Sequence, residues 1–267
     1  MKFAPIIYLI GMLLCILSLF MLVPAFVDWF YGGENWPAFV GSSISTLFVG
    51  FILFFSNKGS ATEHLELRQA FLLTNSAWIS IALFGSLPFL LSDIDMSFID
   101  AFFESTSGIT TTGATVIENL EKKSHGILIW RALLQWLGGV GIIVMALAVL
   151  PMLSIGGMQL FKTESYETPD KVVPKAASFA AGISIVYITL TIIWAFMLWG
   201  AGMSIFDSIA HAMTTLATGG YSTKSESLAA FNSSTIEIII IFGMLVGSLP
   251  FVHYLTLSKN GLKNLVK

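Results

Sequence analysis

The chain has 267 residues and 29.0 kDa; 55% of it is hydrophobic and 11% charged, with a formal net charge of −3 and a mean hydropathy of +0.83. Soluble domains carry about a quarter charged residues, so this composition excludes an ordinary soluble enzyme. It also excludes a nucleic-acid surface, which needs clustered Lys and Arg. A membrane helix takes roughly 20 apolar residues, which leaves space for about six to eight spans and little extramembrane domain. Cys15 is the only cysteine. A lone thiol forms no internal disulfide or metal site, and it reads as a small packing residue.

In chain order, apolar runs occupy 4–27, 36–56, 68–91, 127–153, 177–200 and 235–257, each long enough to cross the hydrocarbon layer. The expectation is an all-α polytopic membrane protein with six transmembrane helices. Lys2 precedes the first run, and no small-residue cleavage site follows it, so that run is expected to be retained. With six spans, Lys2, Lys58, Arg68, Lys162, Lys171, Lys175, Lys259, Lys263 and Lys267 share one face, and Lys122, Lys123 and Lys224 lie opposite. The positive-inside rule then places both termini in the cytoplasm. Arg131 lies inside the fourth run, where it can snorkel or pair with a carboxylate. The outer segments carry Asp28, Glu34, Asp93, Asp95, Asp100, Glu104, Glu118, Glu121, Asp207 and Glu226. Such a face concentrates cations or simply keeps loops soluble. Trp29, Trp36, Trp130 and Trp199 fall near outer span ends, as an aromatic belt would.

Two outer segments are too apolar for free loops: 96–121, MSFIDAFFESTSGITTTGATVIENLE, and 203–228, MSIFDSIAHAMTTLATGGYSTKSESL. Each opens with Ser, an apolar pair and Asp, continues for about ten helix-compatible residues and reaches Thr-Gly. With a one-residue gap, Thr112-Gly113 aligns with Thr218-Gly219, the glycines 106 positions apart. This is an internal repeat of span, half-length helix, Thr/Gly turn and span. A half-length helix cannot cross a bilayer, so it is expected to enter and return, with its irregular backbone buried in protein or lining a water-filled cavity. Asp100 and Asp207 are expected to cap the two re-entrant helices, whose C-terminal ends carry about half a negative charge and favour a cation. Thr110-Thr111-Thr112-Gly113 and Ala217-Thr218-Gly219-Gly220 then leave the helix, freeing carbonyls to replace the hydration shell of a monovalent cation. Neither turn holds a carboxylate, which disfavours a divalent ion.

The segments SGITTTGATVIENLE (107–121), WRALLQWLGGVGIIVMALAVLPML (130–153), GGMQLFKTES (156–165) and HAMTTLATGGYST (211–223) together resemble the TrkH members of the Trk/Ktr/HKT potassium transporter superfamily. The resemblance implies a channel-like fold of helix, pore loop and helix repeats behind two extra N-terminal helices. Here 1–66 would be the two-helix region, 67–154 the first repeat, 155–176 a cytoplasmic linker, 177–257 the second repeat and 258–267 a cytoplasmic tail. In the family each repeat contributes one filter glycine, and Gly113 and Gly219 match those positions; with the turn residues beside them, the expected K+ site is Thr111, Thr112, Gly113, Thr218, Gly219 and Gly220, with no organic cofactor and no enzyme activity. A glycine at position 113 favours potassium over sodium by the same resemblance. The location implied is a bacterial inner membrane, with a TrkA-like nucleotide-binding regulatory ring on the cytoplasmic side. The family has four repeats and this chain shows two. Two loops cannot encircle an ion, so the expectation is a second copy or a complementary half, the alternative being a nonconducting truncated or regulatory half-subunit.

Other residues admit two readings each. Gly138, Gly139 and Gly141 serve conduction or, more in keeping with membrane helices, close packing. His211 senses pH or is a hydrogen-bonded structural residue. Glu104 attracts ions at the pore mouth or is solvated or paired with Arg131. An intramembrane serine hydrolase built on Ser105 or Ser107 with His253 is a remote alternative, since it needs a base within reach and an oxyanion hole.

Overall fold

The computed structural model describes the backbone of residues 3–60, 67–153, 172–251 and 254. The resemblance segment 156–165, most of the linker, the tail, His253 and the lysines at 162, 171, 259, 263 and 267 lie outside the described residues. Every regular element among the described residues is helical: α1 (Ala4–Phe20), α2 (Leu22–Phe30), α3 (Trp36–Ser56), α4 (Leu67–Gly85), α5 (Leu87–Leu91), α6 (Phe98–Ile109), α7 (His125–Leu153), α8 (Val172–Gly200), α9 (Ile205–Leu216) and α10 (Ser234–Ser248), with short 3-10 turns between some of them.

Proline punctuates the long helices. Pro24 has no N–H to give the carbonyl of Phe20, and the first run divides at Met21 into α1 and α2; Pro88 divides the third at Ser86 into α4 and α5. Among the described residues, four stretches are long and apolar enough to cross a membrane: Ala4–Phe30, Trp36–Ser56, Arg68–Leu91 and Ala181–Gly200. The sixth apolar run behaves differently from the expected single span over 235–257. Its helix α10 ends at Ser248, because Leu249 precedes Pro250 and takes an extended conformation, ψ 143°.

Apolar side chains divide between two cores and an outer belt. One core gathers Leu14, Phe39, Phe89, Trp130 and Leu134; the other gathers Ile183, Tyr187, Leu198 and Leu216. Phe26, Phe48, Ile185, Phe196, Ile241 and Phe242 are exposed, which suits helices whose solvent is hydrocarbon. Trp29, Trp36 and Trp199 are exposed as a belt requires, but Trp130 is fully buried and its Nε1 donates to the Gly85 carbonyl at 3.0 Å. Trp130 is therefore a core residue. Asp28 also leaves the acidic outer face: it is fully buried, accepting the Asn35 N–H at 2.7 Å and the Gly126 N–H at 3.0 Å. A carboxylate at the start of α7 offsets the helix dipole and ties the N-terminal helices to the first repeat. Asn35 and Asp93 add a reciprocal pair, Nδ2 to Oδ1 at 2.6 Å and N–H to Oδ1 at 3.0 Å.

Candidate ion path at two helix-turn segments

Helices α6 and α9 have 12 residues each, or about 18 Å, against a hydrocarbon layer of about 30 Å. Their N-caps are Ser97 and Ser204, not the aspartates expected from the sequence. Ser97 Oγ accepts the Asp100 N–H at 3.2 Å and donates to Asp100 Oδ2 at 2.7 Å; Ser204 and Asp207 repeat this at 3.0 and 2.7 Å. The spacing is that of a capping box with Asp in the third helical position, the carboxylate here accepting from the serine hydroxyl. The serine hydroxyl reaches the helix because its own backbone is extended, ψ 159° and 156°. Asp100 and Asp207 hold the cap and add charge in the first turn.

Both helices end in the same motif. Thr111 N–H bonds the Gly108 carbonyl and Thr112 N–H the Ser107 carbonyl, at 3.0 and 2.9 Å; Thr218 and Gly219 repeat the pattern to Thr215 and Thr214 at the same two distances. These are Schellman closures, in which the residue after the helix is left-handed and usually glycine. Here it is threonine, with φ +56° at Thr111 and +53° at Thr218. A β-branched residue in that region is an outlier, and outliers of this kind cluster at functional sites. Two residues on, Gly113 and Gly220 are again left-handed, φ +81° and +80°.

The repeat is therefore ungapped. One offset, 107 positions, relates Ser97 to Ser204, Asp100 to Asp207, Thr111 to Thr218 and Gly113 to Gly220. The sequence alignment paired Gly113 with Gly219 through a one-residue gap; backbone conformation pairs Gly219 with Thr112 instead. Thr-Gly is the easier match for the eye, but the left-handed φ is the property that the turn requires. The two turns touch: a Cβ on Gly113 would overlap the Gly219 carbonyl oxygen.

Return segments are latched to their helices at equivalent positions. Thr115 Oγ1 donates to the Glu104 carboxylate at 2.9 Å, and Ser222 Oγ meets His211 Nε2 at 3.0 Å. Ser107 Oγ donates to the Ala114 carbonyl at 2.6 Å, and the Tyr221 hydroxyl lies 3.0 Å from the Glu104 carbonyl and 3.1 Å from that of Ala114. Arg131, from α7, joins the repeats. Its Nε donates to Glu104 Oε1 at 2.7 Å, its Nη1 to the Ser222 carbonyl at 2.9 Å, and its guanidinium lies 4.1 Å from the Tyr221 ring centroid. Arg131 and Glu104 are 1% and 0% exposed. Arg131 therefore pairs and does not snorkel, while Glu104 is spent on structure and not on ions at the mouth. His211 is buried, with Nδ1 2.8 Å from the Asp207 carbonyl. A carbonyl only accepts, so Nδ1 carries the proton and the residue is structural.

Gly138 and Gly139 are packing residues. A Cβ on Gly138 would overlap the Ile109 carbonyl, and one on Gly139 would stand 2.8 Å from the Tyr187 hydroxyl, whereas Gly141 faces open space. Of the two hydrolase candidates, Ser107 has its hydroxyl bound to the Ala114 carbonyl, and Ser105 is fully buried with its hydroxyl bound to no other described residue. Among the described residues no cluster of three or more His, Cys, Asp or Glu exists to hold a metal. Residues that the sequence reading passed over include Ser97, Ser204, Gln135, Tyr221 and Ser222. The repeated Ser-x-x-Asp was the available signal for the caps; the others are set by tertiary contact.

Outside the membrane-facing parts, Glu121 accepts the Ser225 N–H at 2.6 Å and the Ser225 hydroxyl at 2.8 Å, joining the two return loops. The backbone N–H of Ser225 holds its carboxyl below the usual range.

Residues 36–266 match the family model described as TrkH, cation transport protein. The Trk system potassium uptake protein TrkH of Vibrio parahaemolyticus is 40% identical over 265 residues, covering 98% of this chain and 54% of that protein. TrkH of Escherichia coli K12 is 38% identical, covering 98% and 55%. A crystal structure of the potassium transporter TrkH from Vibrio parahaemolyticus superposes with a TM-score of 0.87 at 38% identity, over 98% of this chain and 53% of that one. The chain thus spans about half the length of the curated relatives it matches. Those relatives are named for potassium uptake and not for an enzyme activity. The chain belongs to the TrkH family of cation transport proteins.

Proposed function

We propose that this chain supplies two loops of a potassium path in a bacterial cytoplasmic membrane, with K+ held by carbonyls of Thr111, Thr112, Gly113, Thr218, Gly219 and Gly220. The observation that carries the reading is the identical left-handed turn that closes α6 and α9, with Gly113 against the Gly219 carbonyl. Helix C-terminal ends converge there, and each favours a cation. The potassium uptake named in the relatives agrees with this ion. The membrane potential drives K+ inward, at roughly 2.3 kcal/mol per charge per 100 mV.

In this reading α6 and α9 enter and return from the outer side, six spans surround them, and both termini are cytoplasmic. The same reading takes 67–154 and 177–257 as the two repeats. Two turns leave the ion open on one side, so a complementary half or a second copy completes the ring, and a TrkA-like regulatory ring docks near 155–176 and 258–267. No organic cofactor takes part. The second reading is a regulatory half that conducts nothing. Rubidium flux by the pure chain, beside capture of a partner chain, separates the two. The filter itself is tested by Gly113→Ser in the conducting assembly: rubidium-over-sodium selectivity falls, and unchanged selectivity refutes the assignment.

A further inference from the structure

Behind the two turns stands Gln135 of α7, fully buried. Its Oε1 accepts the Tyr221 N–H at 3.0 Å. An N–H can only donate, so this bond fixes which end of the amide is which. The other end, Nε2, has no hydrogen-bond partner among the described residues. It lies 3.7 Å from the place a Gly113 Cβ would take, and 2.7 Å from the place a Gly219 Cβ would take. The Gln135 amide thus fills the space opened by one glycine, borders the other, and grips the residue that follows Gly220. Few side chains reach both repeats, and this one touches the backbone of the proposed ion path itself.

Resting on the potassium-path reading above, we infer that Gln135 is a positioning residue that sets the spacing of the two glycine turns. It is not a ligand, because an amide N–H repels a cation. Its acceptor holds the second return segment at Tyr221, and its free donor is placed to meet carbonyls of the turns, or a water behind them, from the side away from the ion. Gly219 is explained on the same terms. Its φ lies outside the left-handed region, so backbone conformation does not demand glycine there, whereas the Gln135 amide does.

The test compares rubidium and sodium uptake by vesicles that hold the chain in its conducting assembly. Gln135→Met keeps the volume and removes both amide ends; the rubidium preference falls about tenfold, the worth of one buried polar group left unpaired. Gln135→Glu keeps an acceptor for Tyr221 but puts a carboxylate oxygen where the donor stood, against the turn carbonyls, so the preference falls with it too. Gly219→Ala drives a methyl into the amide and repeats the Gln135→Met loss by a second route, which serves if the Met variant fails to fold. Unfolding temperature in choline separates lost selectivity from lost structure. A Gln135→Met or Gly219→Ala assembly that discriminates as well as wild type overturns the role of Gln135 and leaves the potassium path standing. Wild-type vesicles without rubidium preference overturn both.

Discussion

Arg131→Met is the perturbation whose consequence the structure defines best. It deletes the 2.7 Å bond to Glu104, the 2.9 Å bond to the Ser222 carbonyl and the stacking on Tyr221 at 4.1 Å. Glu104, 0% exposed, would keep only the Thr115 hydroxyl and the Val116 N–H. Removing one partner of a buried pair costs about 3–5 kcal/mol, mostly because the other charge stays buried and uncompensated. Glu104→Gln strands the guanidinium in the same way. The double variant Glu104→Gln/Arg131→Met strands neither charge, so it should be more stable than Arg131→Met alone and far from additive with the two single losses. The measurement is denaturant unfolding in detergent micelles, followed by circular dichroism for all four members of the cycle. A loss below about 1 kcal/mol for Arg131→Met, the level of an exposed pair, would refute the buried-pair reasoning, and so would a double variant equal to the sum of its parts.

Three further outcomes follow from local geometry. Ser97→Ala and Ser204→Ala each lose about 1 kcal/mol in the same unfolding assay, and because the caps lie on separate helices the double variant is near the sum. Thr111→Gly and Thr218→Gly relieve a left-handed β-branched residue and gain about 1 kcal/mol or more in stability, while rubidium-over-sodium selectivity drops; a loss of stability would show that the threonine side chains outweigh the strain. The Glu121 latch carries a pH signature. Its folded pKa is depressed, so its contribution is complete above the ordinary carboxylate range and is lost as pH falls through the lower folded value. The protection factor of the Ser225 amide, its exchange measured against the intrinsic rate at each pH, should therefore fall on acidification, and Glu121→Gln should abolish that dependence.

What the sequence made legible was whatever depends on composition or local pattern. Hydropathy located the apolar runs, and the Ser, apolar pair, Asp opening marked the starts of α6 and α9 because a capping box is a local device. The Ser-for-Asp error in naming the cap has the same origin: both residue types cap well, and only the extended backbone at Ser97 and Ser204 decides between them. The one-residue gap arose from aligning glycines by name. Thr112 and Gly219 occupy the same backbone position because neither needs a positive φ, while Gly113 and Gly220 do. Trp130 and Asp28 were misplaced for a tertiary reason, since an aromatic or an acid near a span end looks the same in sequence whether it faces lipid, water or a neighbouring helix.

The two repeats share backbone but not charge, and this explains why the residues between them were hardest to read. At one equivalent position the first repeat has Glu104 and the second His211, each bonded to the hydroxyl residue 11 positions later, Thr115 or Ser222. A latch by hydrogen bond is thus common to both, but only the first carries a charge that needs a counter-ion. Arg131 supplies it and spends its remaining reach on the Ser222 carbonyl of the other repeat. His211 is held by hydrogen bonds alone, the Asp207 carbonyl and the Ser222 hydroxyl occupying both its nitrogens. The join between the turns is therefore made by asymmetric side chains on a symmetric backbone. A comparison of repeat with repeat finds the latch, and only the folded arrangement of α7 against both segments finds the clamp.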